Sequence, residues 1–162
     1  MGVGKTTIGR LLAASLGRPF YDTDDYVEAM AGRTVDDFFR RDEEPEFRRR
    51  EAEAVVELVT RGPVVIALGG GALLDDRSVT ILREGALLVH LHVPWKDLRA
   101  RVPDLIATRP LLRDRTPAEL HRLYLLRERT YRSAALRVST GPGSPAQAAE
   151  QVLRALRGAG WA

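Results

Sequence analysis

The chain contains no cysteine. That removes disulfide cross-links, thiolate nucleophiles and cysteine-based zinc sites, and it suits a reducing compartment. There is no apolar run of membrane-spanning length, and the first residues carry no signal-peptide pattern. We therefore expect a cytoplasmic protein with no membrane partner. Lysine is almost missing: of the 25 Lys and Arg residues, only Lys5 and Lys96 are lysine. Histidine is scarce too. His90 and His92 alternate on a predicted strand while His121 lies far off on a helix, so spacing offers no histidine metal site. Aromatic residues are not interleaved with basic ones, and no nucleic-acid reader motif occurs. The net charge of +3 and pI of 9.7 therefore read as a solvated, arginine-rich surface plus an anion-binding pocket, with no nucleic-acid partner. An Asn-Lys-x-Asp guanine-reading motif is absent as well.

What is present fits one domain over residues 1–162, with 44% hydrophobic residues and no repeat, low-complexity tract or linker. Short apolar runs alternate with amphipathic helices, which argues for an α/β fold with a parallel sheet. Strands are expected over 19–22, 63–68, 86–93 and 136–139. The run 63–68 is continuously apolar, as a strand buried on both faces should be. Helices are expected over 7–16, 25–31, 45–60, 76–83, 116–133 and from Ser144 to about 158, with a short one capped by Thr34 and another starting at Pro94. Thr116-Pro117-Ala118-Glu119 and Ser144-Pro145-Ala146-Gln147 are both helix-start signatures. Residues 102–115 lack periodicity and read as a mobile loop.

The densest chemistry lies at the start. Gly2-Val3-Gly4-Lys5-Thr6-Thr7 is the end of a phosphate-binding loop, Gly-x-x-x-x-Gly-Lys-[Ser/Thr], opening directly into a helix. Small residues let backbone N–H groups curl around an anion at the positive end of that helix. Lys5 would reach the β- and γ-phosphates of a nucleotide, and the Thr6 hydroxyl would ligate Mg²⁺. The first Gly of the pattern would lie two residues before Met1, and the strand that normally precedes the loop has no residues here. We expect the true start to lie upstream, with Met1 internal. As written, the sheet should have a gap at its middle.

In an open parallel sheet, ligands bind at the carboxyl ends of the strands. Asp22-Thr23-Asp24 follows one strand and Gly69-Gly70-Gly71 another. One carboxylate could organise Mg²⁺ and its waters while the other accepts a hydrogen bond from a substrate hydroxyl. The glycine triplet permits close backbone approach to a ligand.

Behind Gly4-Lys5-Thr6, the segments Asp22-Thr23-Asp24, Phe47-Arg48, Gly69-Gly70-Gly71 and Arg109-Pro110-Leu111-Leu112 occur in that order. The ordered set resembles shikimate kinase, a small P-loop kinase of the nucleoside-monophosphate-kinase-like group, from Met1 to about Ser139. The resemblance implies a three-layer P-loop kinase fold whose central first strand is missing from this chain. It also implies a lid at about 102–115 and a shikimate-binding helical region at about 24–60. The activity implied is transfer of the ATP γ-phosphate to the 3-hydroxyl of shikimate, on the route to chorismate and the aromatic amino acids, by a monomer using ATP and Mg²⁺.

By resemblance, Lys5, Asp24 and Arg109 are the catalytic residues. Gly2, Val3, Gly4, Lys5, Thr6, Thr7, Arg101 and Arg109 hold ATP, and Thr6 and Asp22 face the metal, Asp22 through water. Asp24, Arg48, Gly69, Gly70, Gly71 and Arg127 hold shikimate. The second carboxylate-binding arginine stays open between Arg127 and Arg129. The turn 140–145 matches the region lining the adenine pocket. A gluconate or nucleotide kinase, or a non-catalytic nucleotide-binding protein, are the competing readings.

Overall fold

The computed structural model describes residues 2–100, 102–103, 112, 115–141 and 143–161. Helix α1 (Lys5–Leu16) starts where Gly4 takes the left-handed conformation, φ 84°, which a side chain would resist. At its other end Gly17 is also left-handed and returns its N–H to the carbonyls of Ala13 and Ala14. Ile8 and Leu12, one helical turn apart, are buried.

Strand β1 (Phe20–Asp22) runs parallel to β2 (Val65–Ala67), with Asp22 opposite Ala67. Between them come α2 (Thr23–Ala31), α3 (Val35–Arg40) and α4 (Glu44–Thr60). A 3₁₀ turn (Ala72–Leu74) and α5 (Asp76–Gly85) follow β2. Strand β3 (Val89–His92) leads to α6 (Trp95–Arg99) and α7 (Pro117–Tyr131), and pairs in parallel with β4 (Leu136–Ser139). Helix α8 (Pro145–Gly158) closes the described chain.

The caps expected at Thr34, Thr116 and Ser144 are all made. Each hydroxyl accepts from the N–H three residues on, and the third residue's side chain accepts back from the cap N–H. Such a cap is worth about 1 kcal/mol.

The parallel α/β arrangement is as expected, and so is the interruption. Among the described residues β2 pairs only with β1 and β3 only with β4, so the sheet is two half-sheets. Helices α1 and α8 tie the halves together. Ile8, Leu12, Val152 and Leu156 form one core with Val138 of β4, and Val65, Val89 and Leu91 pack against its edge. A second core, Val27, Phe38, Phe47 and Ala54, locks α2, α3 and α4 into one body. Burying each of Val27, Phe38 and Phe47 contributes roughly 1.5–3 kcal/mol.

Two expectations need correction. The 63–68 run is not buried throughout: Val65 and Ile66 are only partly covered, and among the described residues β2 has a partner strand on one edge only. Helix α2 begins at Thr23, two residues earlier than expected, because Asp22 itself supplies the cap by accepting from the Asp24 N–H at 3.1 Å.

Candidate functional site

The pairing of Asp22 with Ala67 brings the end of β1 and the turn after β2 to one edge. Helix α1 delivers the phosphate loop to the same edge. Thr6 Oγ1 donates to Asp22 Oδ2 at 2.7 Å, so the helix N-terminus and the β1 end meet directly. Hydroxyl and carboxylate together form the oxygen-only donor set that suits a hard divalent cation. The cap of α1 is a glycine with no side chain to engage the first-turn amides, so Gly2 to Thr7 fits an anionic phosphate.

Thr23 and Asp24 occupy the first turn of α2. Thr23 is fully buried and its hydroxyl accepts from the Gly69 N–H at 2.7 Å. This bond fixes the glycine turn against α2. The turn needs glycine because functional side chains crowd it. A Cβ on Gly69 would collide with Glu51 Oε1 and lie 2.5 Å from Asp24 Oδ1. One on Gly70 would come within 3.0 Å of Arg127 Nη1, and one on Gly71 would collide with the Arg48 guanidinium. The Tyr131 hydroxyl donates to the Gly70 carbonyl at 3.2 Å and holds the far side.

Of the run Arg48-Arg49-Arg50, only Arg48 turns inward. Arg49 and Arg50 both bind Glu46, at 2.8 and 2.6 Å, and hold its carboxyl down to about 2. Arg48 donates through Nη1 to Glu51 Oε2 at 2.8 Å and through Nη2 to Glu44 Oε1 at 3.0 Å. Arg127 lies against the turn, whereas Arg129 is exposed.

Glu51 is the residue that the sequence reading missed. It is 2% exposed, and its Oε1 has no hydrogen-bond partner among the described residues. Burial pushes its carboxyl above the ordinary range; Arg48 and Arg127 pull it down, while Asp24 adds to the rise. The available signal was its position three residues after Arg48 on one helix face. Thr23 has no legible role in the sequence either, because its bond to Gly69 spans 46 residues.

The structure thus brings Thr6, Asp22, Asp24, Arg48, Gly69, Gly70, Gly71 and Arg127 to one edge. Arg101 and Arg109 lie outside the described residues, as does most of 102–115.

The histidine reading is corrected in one respect. Residues two apart share a strand face, so His90 and His92 meet Glu128 of α7, with their ligand atoms all within 4.8 Å of one another. Glu128 lies 3.1 Å from His90 Nε2 and 3.2 Å from His92 Nδ1. Arg137 Nη2 sits 3.1 Å from the same carboxylate and 2.9 Å from His92 Nδ1. A guanidinium already supplies positive charge there, so the group reads as one carboxylate shared by two imidazoles and an arginine.

A family model for shikimate kinase matches residues 1–157. The shikimate kinase of Thermobifida fusca is 43% identical over 160 residues, covering 98% of this chain and 92% of that protein. That of Moorella thermoacetica is 41% identical over 157 residues, covering 97% and 90% respectively. The solved structure of shikimate kinase from Acinetobacter baumannii in complex with shikimate superposes with a TM-score of 0.89 at 34% identity, covering 98% of this chain and 89% of that one.

Proposed function

The chain belongs to the shikimate kinase family, and from that premise we propose that it transfers the γ-phosphate of ATP to the 3-hydroxyl of shikimate, giving shikimate 3-phosphate and ADP. One observation carries the assignment of residues. Two guanidiniums, Arg48 and Arg127, and the Asp24 carboxylate surround the glycine turn, and the Thr6–Asp22 pair stands at the same edge. Two forked cations suit a carboxylated acceptor, and a carboxylate beside them suits its hydroxyls.

The reaction demands positioning and charge neutralisation more than covalent chemistry. Arg48 and Arg127 hold the shikimate carboxylate. Glu51 Oε2 fixes the angle of Arg48. Asp24 accepts a hydrogen bond from the reacting hydroxyl and takes its proton as the phosphoryl group arrives. Lys5, the amides from Gly2 to Thr7, and Arg101 hold the nucleotide, and Arg109 closes from the lid. Thr6 and Asp22 would hold Mg²⁺, Asp22 through water, and that ion supplies neutralisation of phosphate charge. Residues 1–162 act as a single domain, with a lid at about 102–115 and a shikimate-binding region at about 24–60. We assign it to the cytoplasm as a monomer without nucleic-acid or membrane partners. No described helix is long and apolar enough to cross a membrane.

The test is ADP release measured with shikimate, ATP and Mg²⁺ each omitted in turn, with gluconate and nucleoside monophosphates as competing acceptors. Release requiring all three components is expected. Turnover with another acceptor and none with shikimate would refute the proposal.

A further inference from the structure

Helix α7 carries Arg127, yet little apolar burial holds the half of the helix where it sits. Leu120, near the start, is the buried residue of α7. From Leu125 to Tyr131 no residue is buried, and Leu125 and Leu126 are 49% and 58% exposed. The rotation of that half is therefore set mainly by polar ties. Three side chains on one stripe make them, at spacings of four and then three residues. The Tyr124 hydroxyl donates to the Val93 carbonyl at 3.3 Å, and the Tyr131 hydroxyl donates to the Gly70 carbonyl at 3.2 Å. Between them lies Glu128, clasped by side chains of β3 and β4.

The clasp is charged, which makes it the strongest of the three ties. His90 Nε2 of β3 lies 3.1 Å from Glu128 Oε1, and Arg137 Nη2 of β4 donates to Oε2 at 3.1 Å. An ionised carboxylate only accepts, so His90 Nε2 bears a proton. Burial holds the His90 pKa below its ordinary value against the pull of Glu128, while Arg137 and His92 add to the lowering. The imidazole is thus neutral at neutral pH and spends its one N–H on this bond. Arg127 is the next residue round the helix, about 100° away. At a helix radius of about 5–6 Å, a rotation of about 10° carries a side chain roughly 1 Å. A guanidinium fork gripping two carboxylate oxygens depends on alignment at that scale.

We propose that Glu128 is a positioning residue for the acceptor: held by His90 and Arg137, it sets the rotation of α7 that aims Arg127 at the substrate carboxylate. It acts through Arg127 and touches no substrate itself. Through it the β3–β4 pair takes part in holding the acceptor. The inference rests on the role of Arg127 proposed above.

The experiment opens the clasp from each side. Glu128→Gln keeps the shape and removes the charge, and Arg137→Gln does the same on β4, at a side chain 56% exposed. The two variants change net charge in opposite directions. A pure field effect on an anionic acceptor would lower KM in the first and raise it in the second. Lost position raises KM for shikimate in both, by about fivefold, the scale of one net hydrogen bond, with kcat and KM for ATP within about twofold of the parent. In an Arg127→Ala background the same two changes should have less than about a twofold effect, because the group they act through is gone. The Arg127 Nε–H resonance, identified by its loss in Arg127→Ala, should shift in both variants without any substrate. Unchanged KM, KM shifts of opposite sign, or effects that persist in full without Arg127 would each overturn the proposal. If Glu128→Gln does not fold, Arg137→Gln decides alone, since its KM rise must vanish in the Arg127→Ala background. A parent that releases no ADP with shikimate would sink the kinase reading instead. The Arg127 resonance then decides the positioning role, a shift supporting it and an unchanged signal overturning it.

Discussion

Gly69→Ala adds one methyl group where the glycine turn meets two carboxylates. The new Cβ would collide with Glu51 Oε1 and lie 2.5 Å from Asp24 Oδ1 and 3.3 Å from Thr23 Oγ1. Since ordinary contact begins at 3.4 Å, Asp24 must retreat by about 0.9 Å and Glu51 by more. Glu51 is 2% exposed and tied to Arg48 at 2.8 Å, so it has little room to swing. The strain therefore falls on the turn and on Asp24. Overpacking of this kind costs roughly 1–3 kcal/mol, and a misplacement of about 1 Å at a reacting group can cost roughly 10²-fold in rate. We expect a folded protein, a few degrees less stable, with kcat for shikimate-dependent ADP release down about a hundredfold. Gly71→Ala separates position from bulk. Its Cβ meets the tip of Arg48, a side chain 26% exposed that can yield, so KM for shikimate should rise more than kcat falls. Gly158→Ala is the control. It meets nothing within 4 Å, ends α8, and should be neutral or stabilise by roughly 0.5–1 kcal/mol. A folded Gly69→Ala enzyme with kcat within about threefold of the parent would refute the placement of Asp24 at the reacting hydroxyl.

Thr23→Val keeps the shape and strands the buried Gly69 N–H, at a cost of roughly 1–3 kcal/mol in urea denaturation; an unchanged midpoint would show that this bond does not anchor the turn. Asp24→Asn should fold normally and lose turnover, so an active variant would remove the essential carboxylate. Arg48→Ala should raise KM for shikimate at least about tenfold, the scale of a lost charge-assisted bond, with kcat less affected. Glu51→Gln tests the buried carboxyl through pH. Its folded pKa is raised, mainly by burial, so the folded state binds more protons than the unfolded state above the ordinary carboxylate range. Its contribution therefore declines as pH rises through that window. The Tm of the Gln variant relative to the parent should improve upward from about pH 4.5 and then level off. A Tm of the Gln variant that instead falls relative to the parent as pH rises would contradict the assignment.

Much of this protein is written in short-range signals. The phosphate loop, Gly17 at the end of α1, and the caps at Thr34, Thr116 and Ser144 act over three or four residues, so they are legible without the fold. The period of apolar positions identified the helices for the same reason. The site edge followed from topology, since parallel strands put Asp22 and the glycine turn at the same end. Contacts set by helix rotation were not legible. Arg127 and Arg129 lie about 200° apart around α7, and only the packing of that helix decides which one reaches Gly70.

Glu51 shows the same limit from the other side. As a letter it is one of many acidic residues on α4; it becomes the buried hub because the core of Val27, Phe38, Phe47 and Ala54 turns that face of the helix toward Asp24 and Gly69. His90, His92 and Glu128 likewise meet only once β3 and α7 are packed together. The elements, their order and the phosphate-loop pattern are encoded locally, because they follow from backbone geometry and local hydrogen bonds. The tertiary structure decided which charged side chains leave water and face one another, because that depends on how whole helices are rotated against the sheet.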